Sequence, residues 1–505
     1  MWLFQRGAVI MALFSPLQVR ATTQLDARCT SEDDCPARGT PAETFIQVQF
    51  RGSPATAVNQ EEEEENNGMV GQESALHLSE SKESVEKSNT VLVTVGTERV
   101  EVPIRMHSDS DVQRLGEGNF VIELPDGCEE SALRSLAEPV PGGSTTISRG
   151  HPKLGLCFLV LRGSYAQIQR TLQSHTWPST PIVEADIHWA AIPTIPAEEG
   201  SVSAHGSSVP WGLDRIDDKH GVDGSYAETR TGAGVHAYVM DTGIRTTHDD
   251  FGGRAVPAVE ILGSTVKECS PYQTSCAGDV DGHGTHCAGT IGGSKYGVAK
   301  KATLHAVKIL DDEGNGDFSW FVEAIDWVMS KGQRPALMSA SLGGKADLST
   351  VHAAITNAVN GGVPVVVAAG NNNDDAKWYS PAHVTAAITV GSTAKPGATG
   401  MDTRSGFSNY GSHVDIFAPG TNILSTGVST DTSTKSLSGT SMACPHVAGV
   451  VALLLGGGGA PGPAPSTPSP GPAGCVTDGA AGSPGVGAGT PCIFPFTYKG
   501  VTYNA

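Results

Sequence analysis

Five short runs constrain this chain more than any other feature. "VHAYVMD" (235–241), "ATLHAVKIL" (302–310), "ALMSASLGG" (336–344), "VPVVVAAG" (363–370) and "AAITVGS" (386–392) are nearly continuous in apolar residues. A strand with one wet face alternates apolar and polar residues. A strand that is apolar throughout is covered on both faces, as in a parallel sheet between helical layers. The intervening stretches agree. "SWFVEAIDWVMS" (319–330) and "STVHAAITNAVNGG" (349–362) have helical spacing, and the second closes on glycines. The expected fold class is α/β, a doubly wound, mostly parallel sheet with its site at the carboxyl ends of strands.

At 505 residues the chain is too long for one core. "MWLFQRGAVIMALFSPLQVRA" (1–21) has an early Arg, a short apolar run, and Val19 and Ala21 before a cut, which predicts a secretory signal peptide. No run is long enough to span a bilayer. A secreted chain makes its ten cysteines disulfide candidates. Residues 22–115 read as an acidic, partly disordered extension holding Glu61 to Glu65, the Cys29/Cys35 pair and the alternating "NTVLVTVGTERVEVPIRM". A small α+β unit with a following linker is expected over 116–203. "NFVIELP", "LGLCFLVLRG" and "PIVEADIHW" are its strands, "EESALRSLAEPV" and "SYAQIQRTLQSH" its helices, and Cys128 and Cys157 a possible pair. The main unit covers 204–456. A Gly/Pro linker over 457–474 and an aromatic, cysteine-bearing segment over 475–505 follow. The net charge of −20 argues against a nucleic-acid partner, since phosphate contacts need clustered Lys and Arg.

Three polar positions close apolar strands or open helices. Asp241 ends "VHAYVMD", His283 lies among glycines in "DGHGTHCAGTIGG", and Ser441 opens the helix in "SLSGTSMACPHVAG". A serine before a helix is ordinarily its cap. As a nucleophile it needs an imidazole to take its proton and a carboxylate to hold that imidazole. Asn371, after "VVVAAG", offers a side-chain amide that, with the Ser441 N–H, would bind a tetrahedral oxyanion.

Together with "WGLDRID", "AVKILDDEGNGD", "SLGG", "YSPA" and "SNYGSHVDIFAPGTNI", these motifs resemble the subtilisin-like serine proteases, nearest the proteinase K branch, over Trp211 to Leu455. The resemblance implies Asp241, His283 and Ser441 as a triad and Asn371 as the oxyanion donor. It implies a substrate cleft lined by Ser341, Leu342 and Gly343 and by Ala368, Ala369 and Gly370. The strand of Ser341 would pair with an extended peptide, and a roomy apolar first pocket would favour apolar or aromatic residues. The small unit resembles an inhibitory propeptide ending in "IVEADIHW", removed by self-cleavage near Ala204. Asp415, with carbonyls near Thr385 and Ala387, matches a structural calcium site. Cys269 and Cys276 are expected to form a local disulfide, Cys287 matches a buried free thiol, and Cys444 is expected to pack as one. "CIFPFTYKGVTY" resembles the opening of a fibronectin type II module, whose partners are extracellular matrix or glycan. Beyond Leu455 the chain runs into "GGGGAPGP", so the end of the protease fold is expected to be missing. The expected function is a secreted, self-processing endopeptidase acting on protein or peptide substrates. The alternative is an inactive scaffold carrying a binding tail.

Overall fold

The computed structural model describes residues 89–107, 116–154, 156–196, 209–218, 221–227, 230–396, 402–457, 496–498 and 501–503. The expected signal peptide, the glutamate run, Cys29 and Cys35, Ala204, the linker from 458 and most of 475–505 lie outside them. The chain divides after Gly458 into two units.

The first part of the larger unit is a seven-stranded sheet with two helices. Its elements are β1 (Thr90–Val95), β2 (Glu98–Arg105), β3 (Glu117–Glu123), α1 (Glu130–Leu136), β4 (Thr145–Arg149), β5 (Phe158–Ser164), α2 (Tyr165–Ser174), β6 (Thr176–Trp177) and β7 (Ile182–Ala185). The strand order is β4-β5-β3-β7-β2-β1-β6. The small domain therefore begins near residue 90, not 116. The alternating stretch assigned to the acidic extension supplies β1 and β2, and β2 pairs with β7 through Ile104 and Val183. Their apolar face, Val91, Val93, Val102 and Ile104, needs the same helical cover as the other strands.

Both faces of the central strands are buried. Phe120, Ile122, Leu159 and Leu161 meet Leu133 and Leu136 of α1 and Ile168 and Leu172 of α2. Val121, Phe158 and Val160 point the other way, into a core shared with Phe318, Phe321, Val322 and Ile325. Each such side chain contributes about 1.5–3 kcal/mol of burial, so the outer face is an adhesive one. Cys128 and Cys157 are disulfide-bonded.

The chain then leaves this sheet. β8 (His188–Ala191) and β9 (Ile195–Pro196) precede α3 (Trp211–Asp217) and pair with elements farther along. The elements after α3 are β10 (His236–Asp241), β11 (Ala255–Leu262), β12 (Thr265–Glu268), α4 (His283–Gly292), β13 (Thr303–Lys308), β14 (Asn315–Asp317), α5 (Phe318–Lys331), β15 (Ala336–Ala340), β16 (Leu342–Gly343), α6 (Ser349–Asn360) and β17 (Val365–Ala368). After them come β18 (Ile388–Ala394), β19 (Thr403–Arg404), β20 (Ile416–Pro419), β21 (Ile423–Thr426), β22 (Thr434–Ser438) and α7 (Thr440–Leu455).

The main sheet has nine strands, in the order β12-β11-β13-β10-β15-β17-β18-β19 with β20 also on β18. Only β12 and β19 join it antiparallel. α4 and α7 cover one face, where Ile291 and Ala448 meet Val239 and Val366. α5 and α6 cover the other, where Phe321 and Ile355 meet Met240 and Val367. This is the doubly wound α/β architecture. The chain passes from β10 out to β11, returns to β13, then crosses to β15 on the far side of β10. Such a reversal opens a crevice at the carboxyl end of the strand, and Asp241 is the last residue of β10.

β8 pairs antiparallel with both β14 and β16, and β9 with β22. "PIVEADIHW" is thus two strands in two sheets rather than one final strand. "IPTIP", expected to open a linker, runs alongside the main unit. In the second unit β23 (Phe496–Tyr498) and β24 (Val501–Tyr503) form an antiparallel pair. Among the described residues no helix is long and apolar enough to cross a membrane.

Candidate active site

His283 is the first residue of α4, after Gly282 with φ 101°. At Gly284 a Cβ would lie 2.2 Å from the Gly243 carbonyl oxygen and 3.1 Å from Asp241 Cβ. Only glycine lets this helix start press against the end of β10. The approach brings His283 Nδ1 to 2.8 Å from Asp241 Oδ1, with both side chains buried. An Nδ1–H donated to the carboxylate leaves Nε2 as the acceptor nitrogen of the neutral ring. Burial opposes the imidazolium, but Asp241, with Asp281 and Asp279 beyond it, outweighs that and raises the His283 pKa.

Asp279 ties the two elements together. Its Oδ1 accepts from Thr242 Oγ1 at 2.8 Å and Gly282 N at 2.9 Å. Its Oδ2 accepts from Thr285 N at 2.8 Å and Thr285 Oγ1 at 2.6 Å. Thr242 Oγ1 in turn accepts from Gly284 N at 2.9 Å. Asp279 was not legible as a functional residue in the sequence. Its only signal was an acid four residues before a glycine-flanked histidine.

Ser441 is the second residue of α7, and Gly439 holds the N-cap position. Its hydroxyl caps nothing. It donates to Ile192 O at 3.3 Å, with Ser341 O at 3.5 Å. Asn371 Oδ1 accepts from Thr440 N at 2.8 Å and Thr440 Oγ1 at 2.9 Å. That contact seats the amide beside the helix start and aims Nδ2 at Pro193 O, 2.8 Å away. Among the described residues, His283 Nε2 has no hydrogen-bond partner. The Asp241–His283 contact is formed, and the Ser441 hydroxyl is engaged with the 192 carbonyl instead of the ring.

Residues 188–196, after β7, lie in the cleft as an extended peptide. Ala190 and Ala191 oppose Gly343 and Leu342, and Ile192 N donates to Ser341 O at 3.2 Å. Trp189 is buried against Phe318 and Phe321, with ring centroids 6.4 and 5.5 Å apart. Ser341, Leu342 and Gly343 thus meet a peptide strand. Ala368 and Ala369 are buried behind the site, and Asn409 Nδ2 donates to Ala369 O at 2.8 Å. Gly370 N donates to Thr440 Oγ1 at 3.1 Å.

The sequence profile of the subtilase family matches residues 232–460. An extracellular serine proteinase of Thermus sp. (strain Rt41A) is 51% identical over 252 residues, 49% of this chain and 57% of that protein. Proteinase R of Parengyodontium album is 37% identical over 346 residues, 66% of this chain and 79% of its own. The subtilisin-like serine protease AsES of Sarocladium strictum is 37% identical over 372 residues, 72% of this chain and 86% of its own. The chain belongs to the subtilase family. It spans little more than half the length of the Thermus relative.

In this subtilase Cys269 and Cys276 are disulfide-bonded. Cys287 and Cys444 are free and buried. Burial pushes the Cys287 thiol well up and Cys444 up to about 12, so neither forms the thiolate that attack requires. Cys287 donates to Ser441 O at 3.4 Å from beneath the site. Asp415 Oδ2 accepts from Thr389 N at 2.9 Å, a contact that caps the start of β18. Buried Asp214, half-buried Asp218 and exposed Asp223 bring carboxylate oxygens within 4.8 Å of one another.

Proposed function

We propose that this subtilase is a serine endopeptidase. Ser441 is its nucleophile, His283 its general base, Asp241 the group that orients His283, and Asn371 the oxyanion donor. One observation carries the reading: Ser441 and Asn371 hydrogen-bond to successive carbonyls of a peptide strand lying antiparallel to Leu342 and Gly343. Nucleophile and oxyanion donor both face backbone carbonyls, the groups on which amide hydrolysis works.

In the reaction Ser441 Oγ bonds to the substrate carbonyl carbon while His283 Nε2 takes its proton. The carbonyl oxygen becomes an oxyanion held by Asn371. Collapse breaks the C–N bond, and the proton on His283 passes to the leaving nitrogen. Water, deprotonated by His283, then bonds to the acyl carbon, and the bond to Ser441 Oγ breaks as His283 returns the proton to that oxygen. The burial of Ile192 and Trp189 in apolar surroundings supports a preference for apolar and aromatic residues before the cut.

The precursor is made latent. The 90–196 part acts as an inhibitory propeptide, with the chain around Ile192 filling the cleft, and is removed by self-cleavage near Ala204. Secretion, a structural calcium ion at Asp415 and matrix or glycan binding by the 475–505 segment belong to the same reading. For calcium, Asp415 would supply one carboxylate and the Thr385 and Ala387 carbonyls further oxygens, the hard donors that cation takes.

Casein hydrolysis by purified wild type and by Ser441→Ala tests this. The wild type is expected to degrade casein, and the mutant to be inactive and remain as uncut precursor. A folded wild type without activity supports the scaffold alternative.

A further inference from the structure

In acyl transfer the carbonyl that is attacked must be the one whose oxygen sits on the oxyanion donor. Here the two functions fall on different residues. Ser441 Oγ is 3.3 Å from Ile192 O, while Asn371 Nδ2 holds Pro193 O at 2.8 Å. A uniform slip would carry this one-residue offset with it, so cutting needs a local move instead: the Ile192 carbonyl onto Asn371, or residue 193 into the place of residue 192.

Both flanks hold the strand in this register. Upstream, Trp189 opposes Gly316, Ala191 opposes Leu342, and Ile192 N bonds to Ser341 O. Downstream, Ile195 opposes Ser438 and Pro196 opposes Leu437. A one-residue shift turns every side chain to the opposite face. It would lift Trp189, 3% exposed, away from Phe318 and Phe321.

Proline blocks what remains. With residue 193 in the place of 192, the bond to Ser341 O is lost, because proline has no N–H. With Ile192 O on Asn371 instead, the bond to break is Ile192–Pro193. Ser441 Oγ would then join the Ile192 carbonyl carbon, and the departing nitrogen would be the ring nitrogen of Pro193. His283 would have to deliver the proton to that nitrogen past the ring Cδ.

We propose that Pro193 makes residues 188–196 a cleavage-resistant strap, so that the enzyme cuts its own chain outside this segment although the segment fills its cleft. This rests on the peptidase reading above.

The test is to express the full chain as wild type, Pro193→Ala, Ser441→Ala and the double variant, and map all termini by intact mass and N-terminal sequencing. Pro193 is exposed, so the alanine variant keeps the fold, checked by circular dichroism. The wild type is expected to show no terminus within 188–196. Pro193→Ala should gain a new terminus at residue 193 as a major product, absent from the double variant. Wild-type cleavage at 192–193 or 193–194 overturns the inference, as does a Pro193→Ala pattern identical to wild type in a preparation that digests casein. A wild type that digests neither casein nor itself overturns the peptidase reading instead, and this inference with it.

Discussion

Gly439 has room for a hydrogen and little more. A Cβ there would lie 2.9 Å from Asn371 Nδ2, closer than such contacts come. Gly439→Ala is therefore expected to displace the oxyanion donor without removing it. Asn371→Ala removes it, and its kcat should fall by about 10²–10³, a magnitude carried over from subtilisin, a family member. Gly439→Ala should lose a substantial part of that, with KM less affected in both, because the contact strengthens only in the transition state. Steady-state kinetics on a peptide substrate check this, and an unchanged kcat in Asn371→Ala contradicts the assigned role. At this scale the sequence was most legible for groups whose chemistry demands a partner: Asp241, His283, Ser441 and Asn371 each stood where an apolar strand stops or a helix begins. Thr440, which seats Asn371, was not legible, since a threonine beside a helix start has many uses.

Between elements, the position of α4 against β10 depends on one buried carboxylate. Asp279 accepts four hydrogen bonds from three residues, and its removal leaves those donors buried and unpaired. Asp279→Ala should cost about 2–4 kcal/mol of stability. It should also loosen the Asp241–His283 geometry, lowering kcat more than a surface Asp→Ala does. Urea unfolding together with kinetics measures both, and a loss within 0.5 kcal/mol, the range of about ±0.5 typical of neutral surface changes, contradicts the tie. The strands of the main sheet were legible because burial on both faces leaves an apolar run. The pairing of β8 and β9 was not. Their partners lie more than a hundred residues away, and a short run such as "IPTIP", rich in proline, reads locally as linker.

Over the whole molecule, the contact between the 90–196 part and the main unit carries protons. His151 pairs with Asp326, and that hydrogen bond raises its pKa, against burial and Lys331, with Glu130 adding to the rise. Glu323, facing Ser148, is pushed up to about 7 by burial, with Asp326 adding. Asp186, which accepts from Ser319 N, is raised by burial with Asp317 beside it. His188 lies 2.7 Å from Asp317. The sign is common to these shifts. A raised histidine favours the contact while protonated and loses that as pH rises through its folded pKa. A raised carboxyl is neutral in place at low pH and costs free energy once ionised there. After cutting, the propeptide fragment is expected to stay bound near pH 5–6 and to dissociate increasingly above about pH 7. Size-exclusion chromatography across that range reports it, and a complex that tightens with rising pH contradicts the assignment. None of this was legible beforehand, because the paired groups come from segments about 130 to 175 residues apart and look like ordinary surface charge.

The central claim is that Ser441 is a nucleophile activated by His283 once the cleft is free. A fluorophosphonate probe tests it directly, with the adduct located by peptide mass mapping in the processed protein. A single adduct on Ser441 is expected, falling by orders of magnitude in His283→Ala. A folded, processed wild type that takes no label, or takes it equally well without the imidazole, contradicts the account.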